Sequence, residues 1–208
     1  MTKKRVKSLD SMIKTRKKLA KLASDLLNPF LVSFAVIILL SFESTSSLSE
    51  AIKWSLITAA LSVLPVFLVV ISLVKNKKVD GIFTSARRQR YTIYLMASTC
   101  GIIGDAVLFY LEAPTLLVAT FTAGLAAIIT FMMINLMWKI SLHTAFAAAS
   151  VTILSIVYGT VGALTAVLLL TVAWARIELK HHSPAQVAAG ALLAAAIVVL
   201  VFRLFGLI

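Results

Sequence analysis

Long apolar runs separated by short polar loops constrain this chain more than any other feature. They cover residues 26–42, 52–74, 91–111, 114–137, 144–177 and 184–205. A helix that crosses a bilayer needs about 20 mostly apolar residues. The run over 144–177 is too long for one crossing. Gly159 and Gly162, flanked by Tyr158 and Thr160, divide it. In lipid every backbone amide must find a partner within the protein, so the runs are predicted as helices. No alternating pattern suggests a barrel. The expected fold is all-α, a polytopic transmembrane helical bundle of about six to seven spans. Composition agrees: 61% of residues are hydrophobic and 13% charged, far from a soluble domain.

The net charge of +12 would suit nucleic acid, but the basic residues sit between apolar runs and not along one soluble face. Anionic membrane lipids are the expected partner, and nucleic acid is not. All but two of the 20 Lys and Arg fall in the segment before residue 25 or in alternate loops; the exceptions are Lys53 and Arg203. The positive-inside rule then predicts a cell-membrane protein with a cytoplasmic N-terminus and an outer C-terminus. Within residues 6–24, Val6, Leu9, Met12, Ile13, Leu19 and Leu22 share one helical face. Residues 1–24 are therefore expected to be a basic amphipathic juxtamembrane segment. Residues 25–208 are expected to form a single transmembrane domain. The lone Cys100 allows no disulfide within the chain.

All three histidines, His143, His181 and His182, fall in the predicted cytoplasmic loops or at span ends. Lys78, Arg87, Arg90, Lys139, Arg176 and Lys180 lie on the same side. Lys139 and His143 are four apart and would share a face if the helix began early. Ser141 is an expected N-cap for that helix. Ser183-Pro184 has the form of an N-cap followed by a first-turn proline. His182 then precedes a helix N-terminus, where free amides favour an anion. Arg176 can reach the same place, and its planar fork suits a phosphate. One imidazole beside a phosphate can act as nucleophile and a second as general acid. The residues thus suggest a phosphate site at headgroup level. Zinc on the three histidines is the weaker reading, since no Cys or acid completes a set.

The segments Trp138-Lys-Ile-Ser-Leu-His143-Thr144 and Ala175-Arg-Ile-Glu-Leu-Lys-His-His182-Ser-Pro-Ala-Gln186 resemble the second and third motifs of the type-2 phosphatidic acid phosphatase superfamily. That family includes lipid phosphatases and the vanadium haloperoxidases. Ser141 and His143 match its Pro-Ser-Gly-His motif. Arg176 and His182 match the arginine and histidine of its third. Asp80, six residues and then Arg87-Arg88 has the spacing of the first motif, with Arg87 matching by type. The resemblance covers roughly residues 75–200. It implies a divergent lipid phosphatase acting through a phosphohistidine, with no metal and no cofactor. His182 would attack phosphorus and His143 would protonate the leaving oxygen. Arg176 and Arg87 would clamp the phosphate, with Arg90, Lys139, Ser141 and Lys78 as further substrate-binding groups. Candidate substrates are phosphatidate, phosphatidylglycerophosphate and a polyprenyl diphosphate.

The chain also departs from the family pattern. Leu142 stands where the second motif has glycine, and Ala175 where the third has serine. Gln186 stands where the third has an aspartate that orients the histidine. Glutamine can accept from the ring but cannot stabilise an imidazolium by charge. A slower enzyme is expected, or another carboxylate in that role, with Glu178 and Asp80 nearest by loop. The alternative reading is a catalytically impaired relative that binds lipid phosphate or serves as a membrane scaffold. An anion transporter ranks below it, because Asp105 is the only acid within a span. A homo-oligomer is compatible with either reading.

Overall fold

The computed structural model describes residues 3–79, 81 and 87–208, with side chains from residue 11 onward except those of Arg87 and Arg88. Among the described residues there is no strand. Ten helices follow one another: α1 (Lys3–Leu26), α2 (Pro29–Glu43), α3 (Leu48–Leu61), α4 (Val63–Lys75), α5 (Arg87–Tyr110), α6 (Thr115–Asn135), α7 (Leu142–Tyr158), α8 (Thr160–Ala163), α9 (Ala166–Glu178) and α10 (Pro184–Leu204).

Five stretches are long and apolar enough to cross a membrane: Leu48–Lys75, Gln89–Tyr110, Thr115–Asn135, Thr160–Glu178 and Pro184–Leu204. The pair Ser11–Leu26 and Pro29–Glu43 reaches that length only when its two helices, whose axes differ by 44°, are taken together. Helix α7, at 17 residues, is about 26 Å long at 1.5 Å per residue, just short of a ~30 Å hydrocarbon core. Leu56, Ile102, Leu170 and Leu192 point outward from four different helices. Such broad apolar outer surfaces are at home in lipid and costly in water.

The breaks between helices have local causes. Asn28 caps α2, its Oδ1 accepting from the amides of Phe30 and Leu31, and Pro29 occupies the first turn, where its missing amide costs nothing. The α3–α4 joint lies one turn before Pro65, which cannot donate to the Leu61 carbonyl. After α7 the chain turns at Gly159, whose φ of +58° strongly favours glycine. The break expected within 144–177 therefore falls at the expected glycine.

Packing centres on α7 and α10, the most extensive pair, with α6 against α10 and α9 against α7. One apolar cluster, including Leu40, Trp54, Leu117, Phe121, Ile153 and Phe202, fills one end of the bundle. A second, built on Tyr94, Phe131, Ile140, Ala145 and Ala194, lies under the opposite end, where the histidines are. Helix α1 packs along α9 and buries Ala20 and Ser24 there. Its larger apolar residues Met12, Ile13, Leu19 and Leu22 are exposed. The face it turns to the bundle is thus its small-residue face.

Candidate phosphate site

Helix α9 ends in a turn that determines the spacing of Arg176 and His182. The amide of His181 donates to the Arg176 carbonyl at 3.1 Å, and that of Lys180 to the Ile177 carbonyl at 2.9 Å. This is the paired bonding of a Schellman cap, with Lys180 in the left-handed conformation at φ +56°. Glycine is the usual residue there, so Lys180 holds a backbone geometry that costs a side chain on the order of 1 kcal/mol. The next residues start α10 at once. Ser183 Oγ accepts from the Gln186 amide, and Gln186 Oε1 accepts from the Ser183 amide, a complete capping box. Two caps back to back leave the connection little freedom and fold Arg176 and His182 toward the same space.

Gln186 does a second thing. Its Oε1 lies 3.1 Å from His182 Nδ1. That oxygen already accepts from the Ser183 amide, which identifies it as the carbonyl end of the side chain. His182 Nδ1 must then carry the proton, leaving the lone pair on Nε2. Glu178, an expected carboxylate partner for His182, instead binds Arg16 on α1 at 2.7 Å. It is drawn away because α1 runs alongside the end of α9. Asp80 lies outside the described residues.

His182, His143, Arg176 and Arg90 line one cavity of about 110 Å³ together with Tyr94, Leu142 and Phe146. A water's share of liquid volume is about 30 Å³, so a phosphate group fits. All four charged or imidazole side chains are buried. Arg176 Nη1 donates to Ser24 Oγ at 2.9 Å, while its Nε has no hydrogen-bond partner among the described residues. No described carboxylate lies within ion-pair distance of Arg176. Arg90 Nη1 donates to the Ile140 carbonyl at 3.2 Å, tying α5 to the loop before α7.

That loop is anchored from α10 as well. Thr144 Oγ1 donates to the carbonyls of Ser141 and Val187. Gly190 permits the approach, since a Cβ there would stand 2.8 Å from the Ser141 carbonyl.

The other predicted residues are placed as follows. Ser141 occupies the N-cap position of α7 but makes no capping bond through its side chain. It is fully buried and does not line the cavity. Lys139 does not share a helical face with His143, because α7 starts only at Leu142; its Nζ reaches the His181 carbonyl at 3.0 Å instead. Lys78 is exposed on the turn after α4 and does not line the cavity. The side chain of Arg87 lies outside the described residues. Asp105 accepts from Thr122 Oγ1 at 3.0 Å through both oxygens, a bond between α5 and α6 away from the site. Tyr94 and Ser24 belong to the site and were not anticipated. Tyr94 follows Arg90 by one helical turn and places its hydroxyl beside the guanidinium. That i, i+4 spacing was the available signal. Ser24 had none, since its partner is 152 positions away.

Burial, then the cations Arg90, Arg176 and Lys139, hold the His182 imidazole down at about 3, against the Gln186 bond that pulls it upward. Burial, Arg176, Lys139 and Arg90 lower His181 too. His182 is therefore neutral at pH 7 and able to act as a nucleophile. An unfolded histidine titrates near pH 6.5. Between that pH and about 3 the unfolded chain binds a proton that folded His182 does not, so stability falls as the solution is acidified through this window. The thermal midpoint of the purified protein should drop from pH 7 to pH 4. It should drop less steeply in His182→Asn, which scanning fluorimetry in detergent would measure.

No family model matches the chain, and no curated protein or solved structure matches it.

Proposed function

We propose that this chain is a membrane-embedded lipid phosphate phosphatase of the type-2 phosphatidic acid phosphatase kind, working through a phosphohistidine. The observation that carries the proposal is the convergence of two buried imidazoles and two buried guanidiniums, from α5, α7, α9 and the loop before α10, on one cavity. A buried guanidinium with an unpartnered donor is costly when, among the described residues, no carboxylate pairs with it directly and Asp25 acts on it only at a distance. An anion of matching geometry relieves that cost, and phosphate matches the arginine fork.

In this reading the phosphate lies between Arg176 and Arg90. His182 Nε2 attacks phosphorus while its Nδ1–H donates to Gln186. The P–N bond forms as the bond from phosphorus to the lipid oxygen breaks. The proton for that oxygen comes from His143, whose imidazolium the phosphate charge favours. The arginines stabilise charge on the equatorial oxygens in the transition state. Water then attacks the phosphohistidine, His143 takes its proton, and inorganic phosphate leaves with His182 restored. Gln186 supplies orientation without charge, so the imidazolium-like transition state lacks the help a carboxylate would give.

We also read the helices as about seven spans, counting α2 and α7 as crossings, with the site on the cytoplasmic side beside the basic N-terminal segment. The exposed apolar residues of α1, beside Lys14, Lys17, Lys18 and Lys21, support its contact with an anionic leaflet. The test is phosphate release by the purified protein in nanodiscs from phosphatidate, phosphatidylglycerophosphate and a polyprenyl diphosphate. At least one should be cleaved without added metal. No release from any of the three would overturn the proposal.

A further inference from the structure

A second cavity, of about 190 Å³, lies beside the first and is almost wholly apolar. It shares Pro29, Phe30, Val66, Ala97, Ile128 and Phe146 with the wall of the phosphate cavity. The two cavities therefore adjoin across these residues, one with charged walls and the other oily. Along α6 the oily cavity is lined from Leu117 to Phe131, a distance of about 21 Å at 1.5 Å per residue. Along α7 it runs from Ala145 to Ile153, about 12 Å. Its walls are cut back to Ala97, Gly101, Ala123, Gly124, Ala127 and Ala149. Gly124 lines this cavity and is itself exposed, and an added Cβ there would meet nothing within 4 Å, so a larger side chain can be introduced without displacing a neighbour.

The geometry points to a tail-binding chamber. The substrate's hydrocarbon chain enters the bundle behind its phosphate and is measured for length against the α6 and α7 walls, with Gly124 as the residue that sets the depth. The inference rests on the phosphate reading of the charged end. It narrows the substrate to an anionic amphiphile that can send one linear chain inward, as opposed to a lipid whose tails remain in the bilayer.

The test uses non-hydrolysable n-alkyl phosphonates from butyl to decyl. Binding is measured calorimetrically on the full chain in nanodiscs, after subtraction of empty discs. In the unaltered protein affinity should rise about fourfold for each methylene added, the factor expected for full burial. Gly124→Leu should bind butyl phosphonate as well as the unaltered protein does, and should stop gaining affinity at a shorter chain. Equal chain-length slopes in the two proteins would overturn the chamber. Retained butyl binding shows that the charged end is intact, so such a result would leave the phosphate site standing. Failure of butyl phosphonate to bind the unaltered protein would overturn both readings. Should Gly124→Leu lose butyl binding through misfolding, Ala149→Leu on the facing wall is expected to give the same early plateau, and an unchanged slope there overturns the chamber.

Discussion

Replacing His182 with alanine is expected to reduce lipid phosphate hydrolysis to background, a loss on the order of 10⁵-fold or more, as when other nucleophiles of covalent mechanisms are removed. The expectation follows from where the ring is held. Its Nδ1 is occupied by Gln186, and Gln186 is fixed by the capping box that starts α10. Only Nε2 is left to approach phosphorus. Unaltered protein quenched during turnover of a substrate radiolabelled at phosphorus should carry acid-labile, base-stable label, the signature of a phosphoramidate. His182→Ala should carry none. If the variant hydrolyses lipid phosphate at an unchanged rate, the covalent mechanism is wrong.

Arg176→Met is expected to separate activity from stability. The guanidinium is buried, its Nε lacks a hydrogen-bond partner among the described residues, and its described side-chain bond is to the neutral hydroxyl of Ser24. A charge so placed is a burden on the folded protein until phosphate arrives. Methionine fills similar volume without that burden, and such exchanges for buried charge are often neutral or stabilising by about 1–4 kcal/mol. Removal of an arginine clamp from phosphoryl transfer costs on the order of 10³-fold in rate. A thermal midpoint equal to or above that of the unaltered protein, combined with a thousandfold loss in kcat/KM, is the expected pair of results. A fall in both would mean that Arg176 serves the fold and not the chemistry.

Much of the architecture was legible because a bilayer imposes its own length scale. The apolar runs match the helices closely, and the Gly159 break is where its conformational freedom is needed. The Arg176 to His182 spacing was also readable, because one helix cap and the next fix it locally. What escaped was set by tertiary packing. Lys139 and His143 have helical spacing, yet the helix begins after Lys139, and the lysine serves the neighbouring loop. Glu178 is near His182 in sequence, but α1 claims it. Arg90 was recognised as one basic residue among several; its distinction is that α5 buries it against the Ile140 carbonyl. Tyr94, apolar but for one hydroxyl, looked like ordinary span material.

The contact between Ser24 and Arg176 also bears on how the molecule is made. The wall of the cavity joins Pro29 and Phe30 of α2 to Arg176 and His182 far along the chain, with Ser24 of α1 holding Arg176 from behind. A ribosome must therefore thread the chain at least as far as His182 before the cavity can close. No shorter intermediate in the membrane would bring Arg176 and His182 to one cavity.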